Sequence, residues 1–116
     1  MTALRPGWEA SPAEPDDILA AMADPTRRQL LATLAANGPA TATELAIGLP
    51  VSRQAIAKHL TVLRGAGLVV RNKEGRDVRF AVRTQGLTHT AAWLAALASE
   101  WDDRLAAIRR IAESAG

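Results

Sequence analysis

The sequence contains no cysteine and no tyrosine among its 116 residues. Without cysteine the chain can form no disulfide bonds and offers no thiolate metal ligands or thiol redox chemistry. Sulfur is confined to Met1 and Met22, which leaves little for a sulfur-based redox sensor. Histidine is also scarce, since His59 and His89 lie in separate predicted elements without a carboxylate at an obvious local spacing. We therefore expect no enzymatic activity.

Long apolar runs are absent as well. None approaches the roughly 20 residues that a membrane-spanning helix requires, so we expect no membrane association. The first fourteen residues lack the apolar core of a secretion signal, and their prolines lie among small and charged residues. We predict that residues 1–14 form a flexible arm in which Trp8 is exposed, that residues 15–116 form one domain, and that the protein is cytoplasmic.

Positive charge is concentrated in one stretch of the chain. Residues 52–83 hold eight arginine and lysine residues and two carboxylates, a net charge of +6. The rest of the chain holds six cations and ten carboxylates, a net charge of −4, and the whole chain carries +2. A surface that faces phosphates requires such a concentration, because nucleic-acid affinity comes largely from the release of condensed counterions. A merely solvated charged face is the alternative.

Apolar spacing and capping residues predict four helices within residues 16–65. They begin near Asp16, at Pro25 after an Asp24 cap, at Glu44 after Thr43, and after a Ser52 cap. Leu49-Pro50 forces a break between the third and fourth helices, because proline disfavours helical backbone in the residue before it. In the fourth helix Ile56, Leu60 and Leu63 recur at helical spacing and must face the core.

A fifth helix is predicted from Leu87 to Glu113 by apolar residues at spacings of seven. Such a helix of about 25 residues spans about 38 Å, more than one small domain needs to cover it. We therefore predict a homodimer in which the surplus apolar face pairs with a second copy. The predicted interface residues are Leu94, Leu97, Trp101, Leu105 and Ile108. An intramolecular core helix, or an apolar small-molecule pocket at Trp93 and Trp101, is the alternative.

A basic hairpin is predicted between the fourth and fifth helices. Gly65-Ala-Gly67 is a fragment of a nucleotide-binding glycine motif, but a helix terminus explains it fully. Residues 68–70 and 78–82 favour strands, and Lys73-Glu-Gly-Arg76 is typical of a turn. A short helix, a tight break, a helix with polar side chains and a basic hairpin are together typical of a winged helix-turn-helix. The predicted class is mainly α, with five helices and a two-stranded wing.

This fold predicts which side chains of the fourth helix face the DNA. Because the apolar stripe points inward, Arg53, Gln54 and Lys58 point to solvent or a partner. Arg53 and Gln54 are the candidates for reading bases, since arginine pairs with guanine and glutamine with adenine through two hydrogen bonds. Ser52 and Lys58 suit phosphate oxygens. A winged-helix module that binds protein instead of DNA is the alternative, although such a module would tolerate acidic or apolar residues here.

Other arginines are predicted to contribute outside this helix. Arg76 and Arg79 of the hairpin are expected to reach the DNA backbone or a narrow minor groove, which attracts arginine. A solvated hairpin is the alternative for both. Arg27 and Arg28, near the start of the second helix, are left open between phosphate and nearby carboxylates.

Several strings resemble the ArsR/SmtB family of bacterial winged-helix repressors. Residues 23–31, Ala-Asp-Pro-Thr-Arg-Arg-Gln-Leu-Leu, are similar to the start of the family's second helix, and Thr43-Glu-Leu-Ala is similar to its helix before the turn. Residues 51–69, Val-Ser-Arg-Gln-Ala-Ile-Ala-Lys-His-Leu-Thr-Val-Leu-Arg-Gly-Ala-Gly-Leu-Val, resemble its recognition helix and first strand. The resemblance implies a repressor that binds double-stranded DNA. It also implies that His59 lies near the DNA, with a partly buried histidine as the alternative.

The resemblance also bears on metal sensing. Founding members release DNA when a metal binds cysteines in the helix before the turn, or Asp, His and Glu residues on the last helix. In this chain the helix before the turn reads Glu44-Leu-Ala-Ile-Gly-Leu, without a cysteine, and His89 is the one histidine of the last helix. Since a tight transition-metal site needs three or four ligands, we predict no metal and no other cofactor. Residues 93–105 are similar to a branch without metal sites, and any small-molecule effector is unidentified.

Overall fold

The computed structural model describes residues 14–115, which contain five α-helices and one antiparallel β-hairpin. The elements are α1 (Pro15–Met22), α2 (Pro25–Asn37), α3 (Ala42–Ile47), α4 (Arg53–Gly65), β1 (Val69–Glu74), β2 (Asp77–Val82) and α5 (Gln85–Ala115). This arrangement confirms the predicted class, mainly α with a two-stranded wing. The predicted arm, including Trp8, lies outside the described residues, except that Glu14 precedes α1 as its N-cap residue.

Side-chain caps fix where α2 and α4 begin. The Asp24 carboxylate accepts hydrogen bonds from the amides of Thr26 and Arg27, at 2.8 and 3.1 Å. Ser52 Oγ accepts the amide of Ala55 at 3.1 Å. Each cap satisfies amides that have no partner within the helix itself. Both residues therefore cap the helices that the sequence predicts for them.

The start of α3 differs from the prediction. The sequence predicts a start at Glu44 after Thr43, whereas the helix begins at Ala42. Thr41 Oγ1 accepts the amide of Glu44 at 3.1 Å, and the Glu44 carboxylate accepts the amide of Thr41 at 2.9 Å. This reciprocal capping box satisfies two amides at once, which favours Thr41 over Thr43 as the cap.

One apolar core joins the helices to the hairpin. Its fully buried large side chains are Ile18, Leu30, Ile56, Leu60, Leu63 and Leu68. The three that belong to α4 are those that the helical spacing assigns to the core. Phe80 and Val82 of β2 pack against the same cluster. The hairpin and α4 are therefore fixed relative to each other by a shared core, and the opposite face of α4 stays outside it.

The hairpin is longer than predicted. The sequence predicts that β1 ends at Val70, but the strand continues to Glu74. Main-chain pairing runs as far as Glu74 opposite Asp77, so that Gly75 and Arg76 alone form the loop. Gly75 has a φ of +61°, which glycine adopts without steric cost. Main-chain hydrogen bonds between strands do not require apolar side chains. The outer half of β1 is polar, so it lacks the alternation of apolar and polar residues by which a strand is predicted from sequence.

The last helix, α5, exceeds the predicted Leu87–Glu113 by two residues at each end. Its 31 residues span about 46 Å. The helix α5 packs on α1, and Gly86 and Thr90 in the first part of α5 are buried. From Trp93 onward its large apolar side chains are exposed. The helix therefore presents more apolar surface than this copy of the domain covers.

Two arginines at the start of α2 bind the end of α1. Arg27 Nε donates to the carbonyl oxygen of Ala21, and Arg28 Nη1 donates to that of Met22, both at 2.6 Å. The carbonyl end of a helix attracts cations, so these contacts fasten α1 to α2. The carboxylate alternative also applies to Arg27, because its Nη1 lies 4.0 Å from the Asp24 carboxylate.

The Asp24 cap gives the fold a defined sensitivity to acid. The amide of Arg27 donates to its carboxylate and thereby lowers the pKa of Asp24 below its ordinary value. Because its pKa is lower in the folded than in the unfolded protein, the Asp24 carboxylate stabilises the fold. This stabilisation is complete above the unfolded-state pKa, about 3.9, and is lost as the pH falls through the folded-state pKa. We expect the unfolding free energy of the wild type to fall more steeply below about pH 4 than that of Asp24→Asn, which keeps a capping oxygen without titrating. Urea unfolding between about pH 7 and pH 3 measures this difference, and parallel pH profiles would contradict it.

Candidate nucleic-acid interface

The face of α4 opposite the core is open to solvent. Arg53, Gln54 and Lys58 are all exposed there. Arg53 and Gln54 are the first two residues of the helix, and residues at this end reach base edges in helix-turn-helix proteins. Within residues 14–115 neither Arg53 nor Lys58 forms an ion pair. The structure therefore brings the three predicted residues together on one accessible face.

Ser52 and His59 flank this face and are already engaged. Ser52 Oγ is the cap acceptor of α4, but its hydroxyl proton can still be donated to a phosphate. Nη1 of Arg27 lies 3.4 Å from Nδ1 of the half-buried His59. A guanidinium only donates hydrogen bonds, so Nδ1 can take part in this contact only as the acceptor. The DNA contact predicted for His59 stays a prediction.

A groove of about 740 Å³ lies between α4, α3 and the hairpin, and we call it the wing groove. Five arginines line it: Arg53 and Arg64 from α4, Arg71 from β1, Arg76 from the hairpin loop and Arg79 from β2. In the part of the chain that the structure describes, four of the five have no carboxylate within 4.0 Å, the exception being Arg79. The carboxylates of Glu44 and Asp77 also line the groove, beside Arg79. Guanidinium groups without a carboxylate partner attract phosphate and can bind it through two parallel hydrogen bonds.

Arg79 differs from the other four because carboxylates surround it. Its Nη1 lies 3.1 Å from Oε1 of Glu44, and its Nε and Nη2 lie 3.7 Å from the carboxylates of Glu74 and Asp77. The pKa of Glu44 is lowered, first by the Thr41 amide that donates to it and to a smaller extent by Arg79. The DNA contact predicted for Arg79 therefore stays a prediction, whereas Arg76 at the loop is exposed and has no such partner within residues 14–115.

Two arginines of the wing groove, Arg64 and Arg71, are outside the site predicted from the sequence. Arg64 follows Arg53 by about three helical turns, a spacing that places both on one face of α4 and that would have identified it. Arg71 lies in the part of β1 beyond Val70, where the sequence predicts no strand. Its orientation toward α4 follows from the register, which pairs Arg71 with Phe80.

A second exposed surface runs along α5. Side chains are between 38% and 61% exposed at the five predicted interface positions, Leu94, Leu97, Trp101, Leu105 and Ile108. The guanidinium of Arg104 lies 5.5 Å from the centre of the Trp101 ring and forms an ion pair with Glu100 at 2.6 Å. Contiguous exposed apolar side chains of this kind mark an interaction surface. Trp93 is 43% exposed on the flank of the same surface.

No group of three or more His, Cys, Asp or Glu side chains is placed to hold a metal ion anywhere in residues 14–115. His89 is exposed near the start of α5. None of the helices in this part of the chain is both long and apolar enough to cross a membrane.

Known proteins resemble this chain in sequence and in structure. A family model described as a helix-turn-helix domain matches residues 22–72, from the end of α1 into β1. The transcriptional regulator Rv2034 of Mycobacterium tuberculosis is 37% identical over 102 residues, which cover 88% of this chain and 92% of that protein. An ArsR-like transcriptional regulator from Rhodococcus sp. RHA1 superposes with a TM-score of 0.78 at 45% identity, over 85% of this chain and 92% of that one. The chain belongs to the ArsR family of winged-helix regulators.

ArsR-family membership confirms the resemblance seen in the sequence. The regulator CmtR of Mycobacterium tuberculosis is 45% identical over 62 residues. This match covers 53% of the present chain and 52% of CmtR, so the chain spans about half the length of that relative. The relatives are transcriptional regulators with a helix-turn-helix domain. This chain therefore belongs to a family of transcriptional regulators, which is not a family of enzymes. In this chain α3 and α4 form the helix-turn-helix, and the β1–β2 hairpin is the wing.

Proposed function

We propose that this ArsR-family protein is a cytoplasmic homodimeric repressor of a pseudo-palindromic operator. Each copy lays α4 in a major groove, with Arg53 and Gln54 on base edges and with Ser52, Lys58 and His59 on or near the backbone. The wing reaches the neighbouring backbone or minor groove through Arg76. Two half-sites about one helical turn apart match two copies, and the bound dimer blocks access of the polymerase.

The observation that carries this proposal is the wing groove beside the exposed start of α4. Arg53, Arg64, Arg71 and Arg76 surround the groove, and none has a carboxylate partner in residues 14–115. Four arginines without carboxylate partners on one surface raise the local positive potential, which attracts an anion. A phosphate strand that lies along the groove provides these anions, so we assign Arg64 and Arg71 to phosphate contacts.

The dimer is supported by the exposed apolar side of α5. Trp101, Leu105 and Ile108 lie on successive turns and are each more than half exposed. Pairing with a second α5 removes this surface from water, at about 25 cal/mol per Å² of apolar area. The same pairing gives two α4 helices on one assembly, which a palindromic site requires.

A mobility-shift assay with the DNA upstream of the protein's own gene tests the proposal. We expect a shift that survives an excess of unrelated DNA, with an affinity of about 10 nM or tighter at physiological salt. The affinity should fall steeply with salt, because each neutralised phosphate contributes about −0.9 to the slope of log K against log salt. Absence of a specific shift even at low salt, over several candidate promoters of neighbouring genes, would contradict the proposal.

A further inference from the structure

Arg79 joins the wing to α3. Its side chain extends from β2 so that Nη1 lies 3.1 Å from Oε1 of Glu44. The same Glu44 oxygen accepts the amide of Thr41 at 2.9 Å within the capping box that begins α3. One carboxylate oxygen therefore connects a wing side chain to the first turn of the helix-turn-helix.

A main-chain bridge lies at the same junction. The amide of Phe80 donates to the carbonyl of Ala40 at 2.8 Å, and the amide of Ala40 donates to the carbonyl of Phe80 at 3.1 Å. Ala40 directly precedes Thr41, the cap of α3, and Phe80 directly follows Arg79 in β2. The bridge and the Arg79–Glu44 pair therefore hold the same two segments together, one through the main chain and the other through side chains.

The charge around Arg79 opposes a phosphate contact. Three carboxylates, from Glu44, Glu74 and Asp77, lie within 4.0 Å of its guanidinium. A phosphate that approaches Arg79 meets a compensated cation and the negative charges that compensate it. The side chain is also only 32% exposed. The other four arginines of the wing groove lack such compensation within residues 14–115.

We infer that Arg79 is a positioning residue, which holds the wing against α3 through Glu44 and so sets where Arg76 lies relative to α4. The inference rests on the proposed DNA binding of α4 and the wing. Arg79 supports operator affinity by holding the wing in place in the free protein. The entropy cost of ordering the wing is then not incurred when DNA binds. Arg79 does not neutralise a phosphate.

Salt dependence of operator affinity separates positioning from phosphate contact. The variants are Arg79→Gln, Glu44→Gln, the double variant and, as a matched wing control, Arg76→Gln. Glutamine also serves in a capping box, so Glu44→Gln removes the ion pair without removing the start of α3. Loss of a phosphate contact lowers the magnitude of the salt slope by about 0.9. We expect this reduction for Arg76→Gln and the wild-type slope for Arg79→Gln.

The double variant tests whether Arg79 acts through Glu44. We expect Arg79→Gln and Glu44→Gln each to weaken operator binding by up to about fivefold, the range of an exposed ion pair. The double variant should bind no more weakly than either single variant. The inference would be overturned if Arg79→Gln lowered the magnitude of the salt slope and weakened operator binding equally in the wild type and in the Glu44→Gln variant. Tighter operator binding by Glu44→Gln would also overturn it.

Amide hydrogen exchange of the free protein tests the anchor without DNA. The amides of Ala40 and Phe80 should exchange faster in Arg79→Gln and in Glu44→Gln than in the wild type, whereas amides paired between β1 and β2 should be unchanged. Unaltered protection of Ala40 and Phe80 in both variants would overturn the anchoring role. If the wild-type protein gives no mobility shift with the operator, the proposed function is refuted instead. The hydrogen-exchange comparison still tests whether Arg79 holds the wing against α3.

Discussion

Replacement of both Leu105 and Ile108 by glutamate is expected to convert the dimer into monomers and to weaken operator binding about 100-fold or more. In one copy these side chains are 56% and 61% exposed, so the substitutions leave the core of the domain intact. In the proposed dimer the same positions are buried, and each glutamate places a carboxylate without a partner in an apolar interface. A monomer engages one half-site at a time and loses the gain of linked binding, about 10²- to 10⁴-fold.

Two measurements check this expectation. Sedimentation equilibrium should give twice the chain mass for the wild type and the single chain mass for the variant. Operator titrations by mobility shift should then show the affinity loss together with a faster-migrating complex. Circular dichroism should remain that of the wild type, because both residues are exposed positions of a continuous helix.

A control with the same added charge isolates the interface from the helix. Ser99→Glu together with Ala106→Glu introduces two carboxylates at exposed positions of α5 that lie away from the apolar stripe. We expect this variant to stay dimeric and to bind the operator with little change. Dimers of wild-type stability in the Leu105→Glu, Ile108→Glu protein would show that α5 is not the interface, and the two-copy part of the proposal would then fail.

The parts of this fold that sequence patterns predict are those in which local chemistry and tertiary packing agree. The stripe of Ile56, Leu60 and Leu63 assigns one side of α4 to the core, and the opposite side is exposed as the spacing requires. Asp24 and Ser52 cap the helices they precede, since a side-chain oxygen at that position satisfies amides whatever the rest of the chain does. The exposed face of α4 could therefore be predicted residue by residue.

The rest depends on partners that are distant in the chain. Arg79 and Glu44 are separated by 35 positions and meet only because Ala40 pairs with β2. No local pattern distinguishes Arg79 from Arg76, although one is enclosed by carboxylates and the other is not. Arg71 joins the wing groove through strand register, which the polar sequence beyond Val70 does not reveal. Charge alone identifies the candidate arginines of the site, but the sequence does not show which group each of them contacts.

Replacement of both Arg53 and Gln54 by alanine is expected to weaken binding to the specific operator about 30-fold or more, with only a few-fold loss on unrelated DNA. Both residues lie at the N-terminal end of α4 and are exposed. A side chain that forms two hydrogen bonds to a base edge contributes about 1–3 kcal/mol of discrimination against a wrong base. Two such contacts together correspond to about 2 kcal/mol at the least, and this loss falls on the specific complex alone.

Lys58→Ala is the matched control on the same helix. Lys58 is exposed on the outer face of α4 and is assigned to phosphate, so its loss should weaken operator and unrelated DNA by the same factor. The magnitude of its salt slope should fall by about 0.9, whereas the base-reading pair should lower the ratio of specific to non-specific affinity. Titrations of each protein on both DNAs, at several salt concentrations, give both quantities from one data set.

Equal losses on the two DNAs for the Arg53→Ala, Gln54→Ala protein would contradict the assignment of these residues to bases. Specificity would then reside elsewhere, and DNA shape read by the wing arginine Arg76 would be the remaining source in this structure. An unchanged operator affinity would be more serious, because the exposed N-terminal end of α4 would then take no part in binding. Circular dichroism and thermal melting keep these outcomes interpretable, since neither side chain contributes to the buried core.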